Sequence, residues 1–237
     1  MLTSVGIDSL RALSDTTEFA HRAVSWSTVD NGSVIASSRK VRGTLDIAMG
    51  LLIIAAYIDL ISGQVAEGTF TPGTHFAYLT NQTSYSNIVV LIAGGILAWR
   101  KAADTVLYAT VRANFTVYAV IVGLVYNWLL REPDHFGFHN EVTHVAIPIY
   151  LLADWVIRAR RPRIGWNTVW IGASYPLAWA LITLVRGQFV DWYPYFFLDP
   201  TGSLGWGGVT AYIVGITSIF LAAIAGAVAI NHAHQRG

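Results

Sequence analysis

The chain has 237 residues, of which 54% are hydrophobic and only 12% are charged, and it contains no cysteine. Soluble domains carry about 25% charged residues, so this composition argues against a soluble enzyme and predicts a polytopic membrane protein. The lack of cysteine excludes thiol nucleophiles, thiolate metal sites and iron–sulfur clusters, which leaves Ser, Thr, Asp or Glu for any covalent chemistry. A formal net charge of +1 gives no reason to expect a nucleic-acid partner.

The beginning of the chain differs from the rest. Residues 1–40 are polar and contain no apolar core of the signal-peptide type. We interpret them as a cytoplasmic tail, followed by a transmembrane domain over residues 41–237. A short surface helix over Ile7–Val24 is the alternative for part of the tail.

Apolar stretches long enough to cross a bilayer follow the tail. A helix needs about 20 apolar residues to cross about 30 Å of hydrocarbon. Six stretches satisfy this, over Gly43–Gly63, Phe76–Trp99, Val106–Leu130, His139–Ile157, Thr168–Val185 and Gly207–Ile230. The short connections between them predict an all-α, antiparallel bundle of six transmembrane helices. No internal repeat supports an inverted-repeat transporter.

Basic residues alternate between the connections. They cluster before the first stretch and after the second, fourth and sixth, as Arg39, Lys40, Arg42, Arg100, Lys101, Arg158, Arg160, Arg161, Arg163 and Arg236. The other three connections are acidic or mixed in charge. Because basic loops stay on the cytoplasmic side, both termini are predicted to be cytoplasmic.

Charged residues within the stretches need partners, because an isolated charge in hydrocarbon is costly. Asp46, Arg112 and Asp154 all fall near the predicted cytoplasmic side. We expect an ion pair of Arg112 with Asp154 or with Asp46, in a structural role.

The second stretch opens with a polar stripe. Thr80, Ser84 and Asn87 are spaced so that they share one helix face, and Thr83 borders it. Hydrogen bonding between helices is the alternative reading for such residues in a membrane protein.

The fourth stretch contains a histidine four residues before a proline. Asn140 and His144 lie one turn apart, and Pro148 cannot donate an N–H to the His144 carbonyl. This spacing predicts a kink with a free carbonyl acceptor beside the imidazole. Counted at 1.5 Å per residue from the outer ends of their helices, Thr80 lies about 6 Å deep and His144 about 7 Å deep. A hydroxyl nucleophile with an imidazole base is therefore geometrically allowed.

Metal and cofactor chemistry has weaker support. Acidic and histidine side chains that could bind zinc cluster near the outer mouth, at Asp134, His135, His139, Glu141 and His144, but their spacing matches no HExxH pattern. The only lysines, Lys40 and Lys101, lie at membrane edges, which excludes a retinal Schiff base within the bundle. Haem ligation by two histidines has only His75 as a weak second ligand. We expect neither a metal nor a cofactor.

The connection between the fifth and sixth stretches is dense in aromatic residues. Amphipathic rings of this kind favour the headgroup region. Trp192, Tyr193 and Tyr195 are also candidates for a lid over an amphiphilic substrate that enters sideways from the outer leaflet.

Three motifs occur in a characteristic order, as Tyr78-Leu-Thr80, Asn140-x-x-x-His144 followed by Pro148, and Trp192-Tyr-Pro194-Tyr-x-Phe-Leu198. They are accompanied by patches at Asp154–Trp155, Tyr175–Leu177 and Thr183–Gly187. Over residues 43–230 the chain thereby resembles the androgen-induced-gene family of membrane hydrolases, and in particular its bacterial six-helix branch. The same family includes the androgen-dependent regulator of tissue factor pathway inhibitor.

The resemblance implies a six-helix bundle with an intramembrane threonine nucleophile and a histidine partner. Animal members cleave fatty acid esters of hydroxy fatty acids. By motif matching, Thr80 would be the nucleophile, His144 the base, and Asn140 a group that orients the imidazole or the ester carbonyl. The chain departs from the animal members at Glu141, where they carry another histidine.

We therefore expect a threonine-dependent lipid esterase in a bacterial plasma membrane, with its site in the outer-leaflet half and a membrane lipid as its substrate. Candidates for support or oxyanion stabilisation are Asn81, Ser84, Asn87 and Asn140. The alternative is a non-enzymatic membrane protein that binds or transports a lipid or small molecule.

Overall fold

The computed structural model describes residues 38–132, 137–158 and 161–236. All regular structure within these ranges is helical, as the composition predicts. Nearly all of the predicted cytoplasmic tail, including Ile7–Val24, lies outside the described residues.

Eight helices follow one another in the described ranges. They are α1 (Ser38–Ala66), α2 (Pro72–His75), α3 (Leu79–Trp99), α4 (Val106–Val125), α5 (Phe138–Glu141), α6 (Ile147–Ile157), α7 (Thr168–Val190) and α8 (Gly205–Ala233). A π-helical turn over Tyr126–Leu130 extends α4, and a second one over Val142–Ala146 joins α5 to α6. A 3₁₀ turn over Phe196–Leu198 lies between α7 and α8.

Four helices of the described part are long and apolar enough to cross a membrane: Ser38–Ala66, Val106–Leu130, Thr168–Val190 and Gly205–Ala233. Between 22% and 50% of the apolar stretch of each is buried inside the protein, so much of the apolar surface faces outward. Such an exterior suits hydrocarbon rather than water. The predicted stretches over residues 76–99 and 139–157 are not among the four; polar residues open both of them.

The basic segments meet at one end of the bundle. Arg39, at the start of α1, donates to the Ala102 carbonyl at 2.7 Å. Arg158, after α6, pairs with Asp104 at 2.5 Å. Gln235, beyond α8, donates to the Arg161 carbonyl at 2.6 Å. We call this the basic end; α2 and the first turns of α3 lie toward the opposite end.

A buried ion network joins three helices near the basic end. The guanidinium of Arg112 on α4 is 2.7 Å from Asp46 on α1 and 2.8 Å from Asp154 on α6. Arg161 reaches Asp154 at 2.9 Å, and the Tyr150 hydroxyl donates to Asp46 at 2.8 Å. Both alternatives for the expected ion pair are thus present together, so the predicted ion pair is confirmed, while its structural role stays a prediction.

The central position in the bundle belongs to α4. It packs against α3, α6, α7 and α8, and its small residues Ala109 and Ala113 are 1% and 0% exposed. Close packing of this kind is what aligns membrane helices, since lipid tails supply little hydrophobic drive between them.

Removing Arg112 should destabilise the fold strongly. In Arg112→Met the Asp46 carboxylate loses its buried guanidinium and Asp154 keeps only Arg161, and breaking a buried pair costs about 3–5 kcal/mol. We expect the unfolding temperature of the detergent-solubilised protein to fall by on the order of 10 °C. Arg100→Met, which removes the same charge from an exposed position, is the control. Equal effects of the two substitutions would contradict a structural role for the network.

Candidate functional site

A cavity of about 460 Å³ lies at the bundle end opposite the basic end. We call it the polar cavity. Its polar lining comes from α2, α3, α5, the two π-helical turns and the loop after α7, and includes His75, Thr80, Asn81, Tyr126, His139, Asn140, His144 and Tyr195. Thr80 and His144, which the sequence paired by depth and by motif matching, therefore line one cavity.

Thr80 is the second residue of α3 and is 9% exposed. Its hydroxyl is 3.3 Å from the Tyr195 hydroxyl, and either oxygen can donate. The N–H groups of a helix's first turn have no partner within the helix, so this end of α3 carries partial positive charge. Among the described residues, no hydrogen bond joins Thr80 to His144.

The contacts of His144 select one tautomer of its ring. Nδ1 lies 3.1 Å from the Asn140 carbonyl, which can only accept, and 3.0 Å from the Thr143 hydroxyl. The Thr143 hydroxyl already donates to the His139 carbonyl at 2.9 Å. Nδ1 must therefore carry the proton, which leaves Nε2 with a lone pair that can accept one.

Tyr126 holds the face of the same ring. Its ring stacks on His144 with centroids 3.8 Å apart and planes 19° apart. Both residues belong to π-helical turns, which widen a helix locally and occur often at functional sites. The two turns thus face each other across the imidazole.

The carbonyl of His144 is not the free acceptor that the sequence predicts beside Pro148. Asn127 donates to it at 3.1 Å, and also to the Gly123 carbonyl at 2.8 Å. That part of the prediction is wrong, because an amide from the facing helix replaces the N–H that Pro148 lacks. Gly123 allows this close approach, since a Cβ there would lie 2.7 Å from the His144 carbonyl oxygen.

The four candidates for support differ in position. Asn81 and Asn140 line the polar cavity, whereas Ser84 and Asn87 are not part of its lining. The amide of Asn81 accepts from Tyr57 at 2.8 Å and donates to the His75 carbonyl at 2.7 Å, so it braces α2 against α1.

Asn87 lies deeper along α3. Its amide nitrogen is 3.5 Å from the Phe115 carbonyl on α4. The polar stripe of α3 is therefore divided, with Thr80 at the cavity and Asn87 in contact with a neighbouring helix, as the alternative reading of the stripe predicts.

Of the three aromatic lid candidates, only Tyr195 lines the polar cavity. Trp192 packs edge-on against Tyr78 with centroids 5.7 Å apart. Tyr193 covers Gly187 so closely that a Cβ there has no room. Trp192 and Tyr193 thus anchor the loop, and Tyr195 reaches inward.

Two further histidines line the cavity, and sequence reasoning gave neither of them a role beyond metal or haem ligation. His139 Nε2 is buried without a hydrogen-bond partner in the described part of the chain. His75 Nε2 is 2.6 Å from the Tyr85 hydroxyl, and burial lowers the pKa of His75, so its ring is neutral at pH 7. In the sequence, only the proximity of His75 to Thr80 and of His139 to His144 could have indicated that these histidines line the same cavity.

A metal site finds little geometric support in the described ranges. No group of three or more His, Asp or Glu side chains is arranged there to hold an ion. Glu141 is paired with Arg131 instead. Asp134 and His135, the other zinc candidates, lie outside the described residues.

A second, apolar pocket adjoins the first. It has a volume of about 70 Å³ and shares Thr80, Tyr126, Leu130 and Tyr195 with the polar cavity. Most of its remaining lining is aliphatic or aromatic and comes from α4, α7, the 3₁₀ turn and α8. Thr80 thus stands where a polar space meets an apolar one.

Gly123→Ala should disturb the packing of α4 against the segment that carries His144. The added Cβ would meet the His144 carbonyl oxygen at 2.7 Å and Pro148 Cγ at 3.0 Å, so the two π-helical turns must separate. Overpacking of this kind costs about 1–3 kcal/mol, and we expect a lower unfolding temperature. Gly63→Ala, where a Cβ meets nothing within 4 Å, is the control. A Gly123→Ala protein as stable as the control would contradict the proposed closeness of the turns.

Comparisons with known proteins supply no assignment. No family model, no curated protein and no solved structure matches the chain. The family resemblance and the site residues that it implies stay predictions, and the function has to be argued from geometry.

Proposed function

We propose that the protein is an integral-membrane hydrolase that cleaves an acyl ester of a lipid, with Thr80 as nucleophile and His144 as base. The observation that carries this proposal is the position of both side chains in one cavity, at its junction with an apolar pocket. An amphiphilic ester needs such a junction, because its carbonyl and its acyl chain require different surroundings.

The first half of the reaction follows from the tautomer of His144. As Thr80 Oγ1 bonds to the ester carbonyl carbon, its proton passes to His144 Nε2. The tetrahedral intermediate then expels the alcohol, which takes the proton from Nε2 and leaves an acyl-threonine. Nδ1–H, held by the Asn140 carbonyl at 3.1 Å, keeps the ring oriented as it becomes an imidazolium.

The second half regenerates the threonine. Water in the polar cavity attacks the acyl carbon while Nε2 takes its proton. The tetrahedral intermediate then expels Thr80 Oγ1, which takes the proton back from Nε2, and a fatty acid is released. Among the described residues, Thr80 and His144 have no direct hydrogen bond, so the substrate or a water must bring them into register; catalytic hydrogen bonds often tighten only in the substrate complex.

Two groups suit the oxyanion. The first-turn amides of α3 include those of Thr80 and Asn81, and the helix dipole at that end favours negative charge. The Tyr195 hydroxyl, 3.3 Å from Thr80 Oγ1, can turn from the threonine to the carbonyl oxygen. We assign the oxyanion to these groups rather than to Ser84 or Asn87.

We extend the proposal to topology. Six crossings, with α3 and the α5–α6 segment added to the four long helices, would place the basic end in the cytoplasm. The polar cavity would then lie in the outer-leaflet half of a bacterial plasma membrane. A fatty acid ester of a hydroxy fatty acid would have the amphiphilic shape that the junction suits.

A second candidate is a lipid-binding or lipid-transporting protein without catalysis. The observation in its favour is that the Thr80 hydroxyl bonds to Tyr195 and, within the described residues, not to His144. The same cavity and pocket would then hold a lipid that is not cleaved.

A fluorophosphonate probe tests the hydrolase. The probe bonds to an activated hydroxyl with loss of fluoride, so we expect purified protein to be labelled, and both Thr80→Ala and His144→Ala to lose at least about 100-fold in labelling rate. Thr80→Ser should retain labelling, because it keeps the hydroxyl.

Two matched variants serve as controls. Thr83→Ala removes a buried threonine hydroxyl that does not line the cavity, and His232→Ala removes a buried imidazole that lies outside the cavity and bonds to the Ile164 carbonyl. Both should be labelled at nearly the normal rate. Undiminished labelling of Thr80→Ala and His144→Ala would contradict the mechanism, and an absence of labelling in the normal protein would favour lipid binding.

A further inference from the structure

A groove runs along the outside of the bundle between α4 and α8. Its volume is about 460 Å³. Its lining includes Leu124, Trp128, Leu129, Tyr212, Gly215 and Ile219. Trp128 is 88% exposed, Leu124 53% and Ile219 54%. Both helices belong to the four that are long and apolar enough to span a membrane, so this groove faces hydrocarbon.

One layer of side chains separates the groove from the apolar pocket. Ile121, Val125 and Ile216 line both spaces, the first two from α4 and the third from α8. The apolar pocket in turn shares Thr80 and Tyr195 with the polar cavity. The three spaces therefore form a series from the lipid-facing surface to the candidate nucleophile.

We infer that this series is the binding site of a single fatty acyl chain, which runs from Thr80 through the apolar pocket and out between α4 and α8 into the bilayer. The inference rests on the proposed function only in one respect, namely that the end of the acyl chain at Thr80 is an ester carbonyl. Shifts of the Ile121, Val125 and Ile216 side chains would join the two apolar spaces.

An acyl chain is the occupant that the surroundings favour. The groove walls are almost entirely aliphatic and aromatic. A peptide backbone or a lipid headgroup in hydrocarbon needs hydrogen-bond partners, and these walls supply almost none. The pocket is small, at about 70 Å³, which leaves no room for the fused rings of a sterol but can hold a few methylene groups of an acyl chain. A chain that leaves through the groove also meets no wall that limits its length.

Gly215 allows the site to be filled without damage to the fold. It lines the groove, and a Cβ built there meets nothing within 4 Å. Gly226 lies three turns further along α8, also with nothing within 4 Å, and is not part of the groove lining. Gly215→Trp and Gly226→Trp are therefore a matched pair on one helix.

The experiment uses a 16-carbon fatty acid with a photoreactive diazirine in its chain and an alkyne for detection, added to the full-length protein in phosphatidylcholine vesicles. We expect crosslinks at Ile121, Val125 or Ile216 that palmitate competes away. Gly215→Trp should reduce crosslinking at least about fivefold, while Gly226→Trp leaves it unchanged. Ile216→Ala, which opens the separating layer, should increase it.

Crosslinks spread over the lipid-facing residues of all helices, or equal in the two tryptophan variants, would overturn the acyl-chain site. Thr80→Ala separates this result from the hydrolase proposal, because it abolishes catalysis and leaves the groove intact. Suppose that crosslinking persists in Thr80→Ala and that fluorophosphonate does not label the normal protein. These two results together would support the acyl-chain site and reject the hydrolase.

Discussion

The buried contact of Arg112 with Asp46 and Asp154 is the interaction on which the rest of the structure depends. A guanidinium 1% exposed cannot stay charged in a low-dielectric interior without partners, so α1 and α6 must present their carboxylates to α4. The contact therefore sets the rotation and height of three helices at once. At their other ends, α1, α4 and the segment leading into α6 contribute walls of the polar cavity.

A second constraint acts at the cavity itself. Pro148 deprives the His144 carbonyl of its usual donor, and Asn127 of α4 supplies another. The close approach needed for that bond is possible because Gly123 has no side chain. The two π-helical turns lie beside this contact, Tyr126 of the first stacks on the imidazole, and the Asn140 carbonyl fixes the tautomer. The imidazole of His144 is thus held in one orientation and one tautomer.

The candidate site lies at the junction of a polar cavity and an apolar pocket. Thr80 lies where polar groups from α2, α3 and α5 meet the aliphatic and aromatic walls of α4, α7 and α8. Tyr195 closes this junction from the loop after α7, with its hydroxyl on Thr80 and its ring stacked on Phe197. The proposed hydrolase and the proposed acyl-chain site both rest on this one position of Thr80 between a polar cavity and an apolar pocket.

The sequence by itself determined the helical fold and predicted helices apolar enough to span a membrane, because hydropathy reports which solvent each segment meets. It predicted a common depth for Thr80 and His144, which line one cavity in the structure. It also predicted the partners of Arg112, since a charge in hydrocarbon has few choices. Only the tertiary structure decided that Asn87 packs while Thr80 faces a cavity, that Asn127 donates to the His144 carbonyl, and that the Tyr195 hydroxyl reaches Thr80. Those contacts depend on how each helix is rotated against its neighbours, and side-chain packing across the bundle, which leaves no periodic trace in the sequence, sets that rotation.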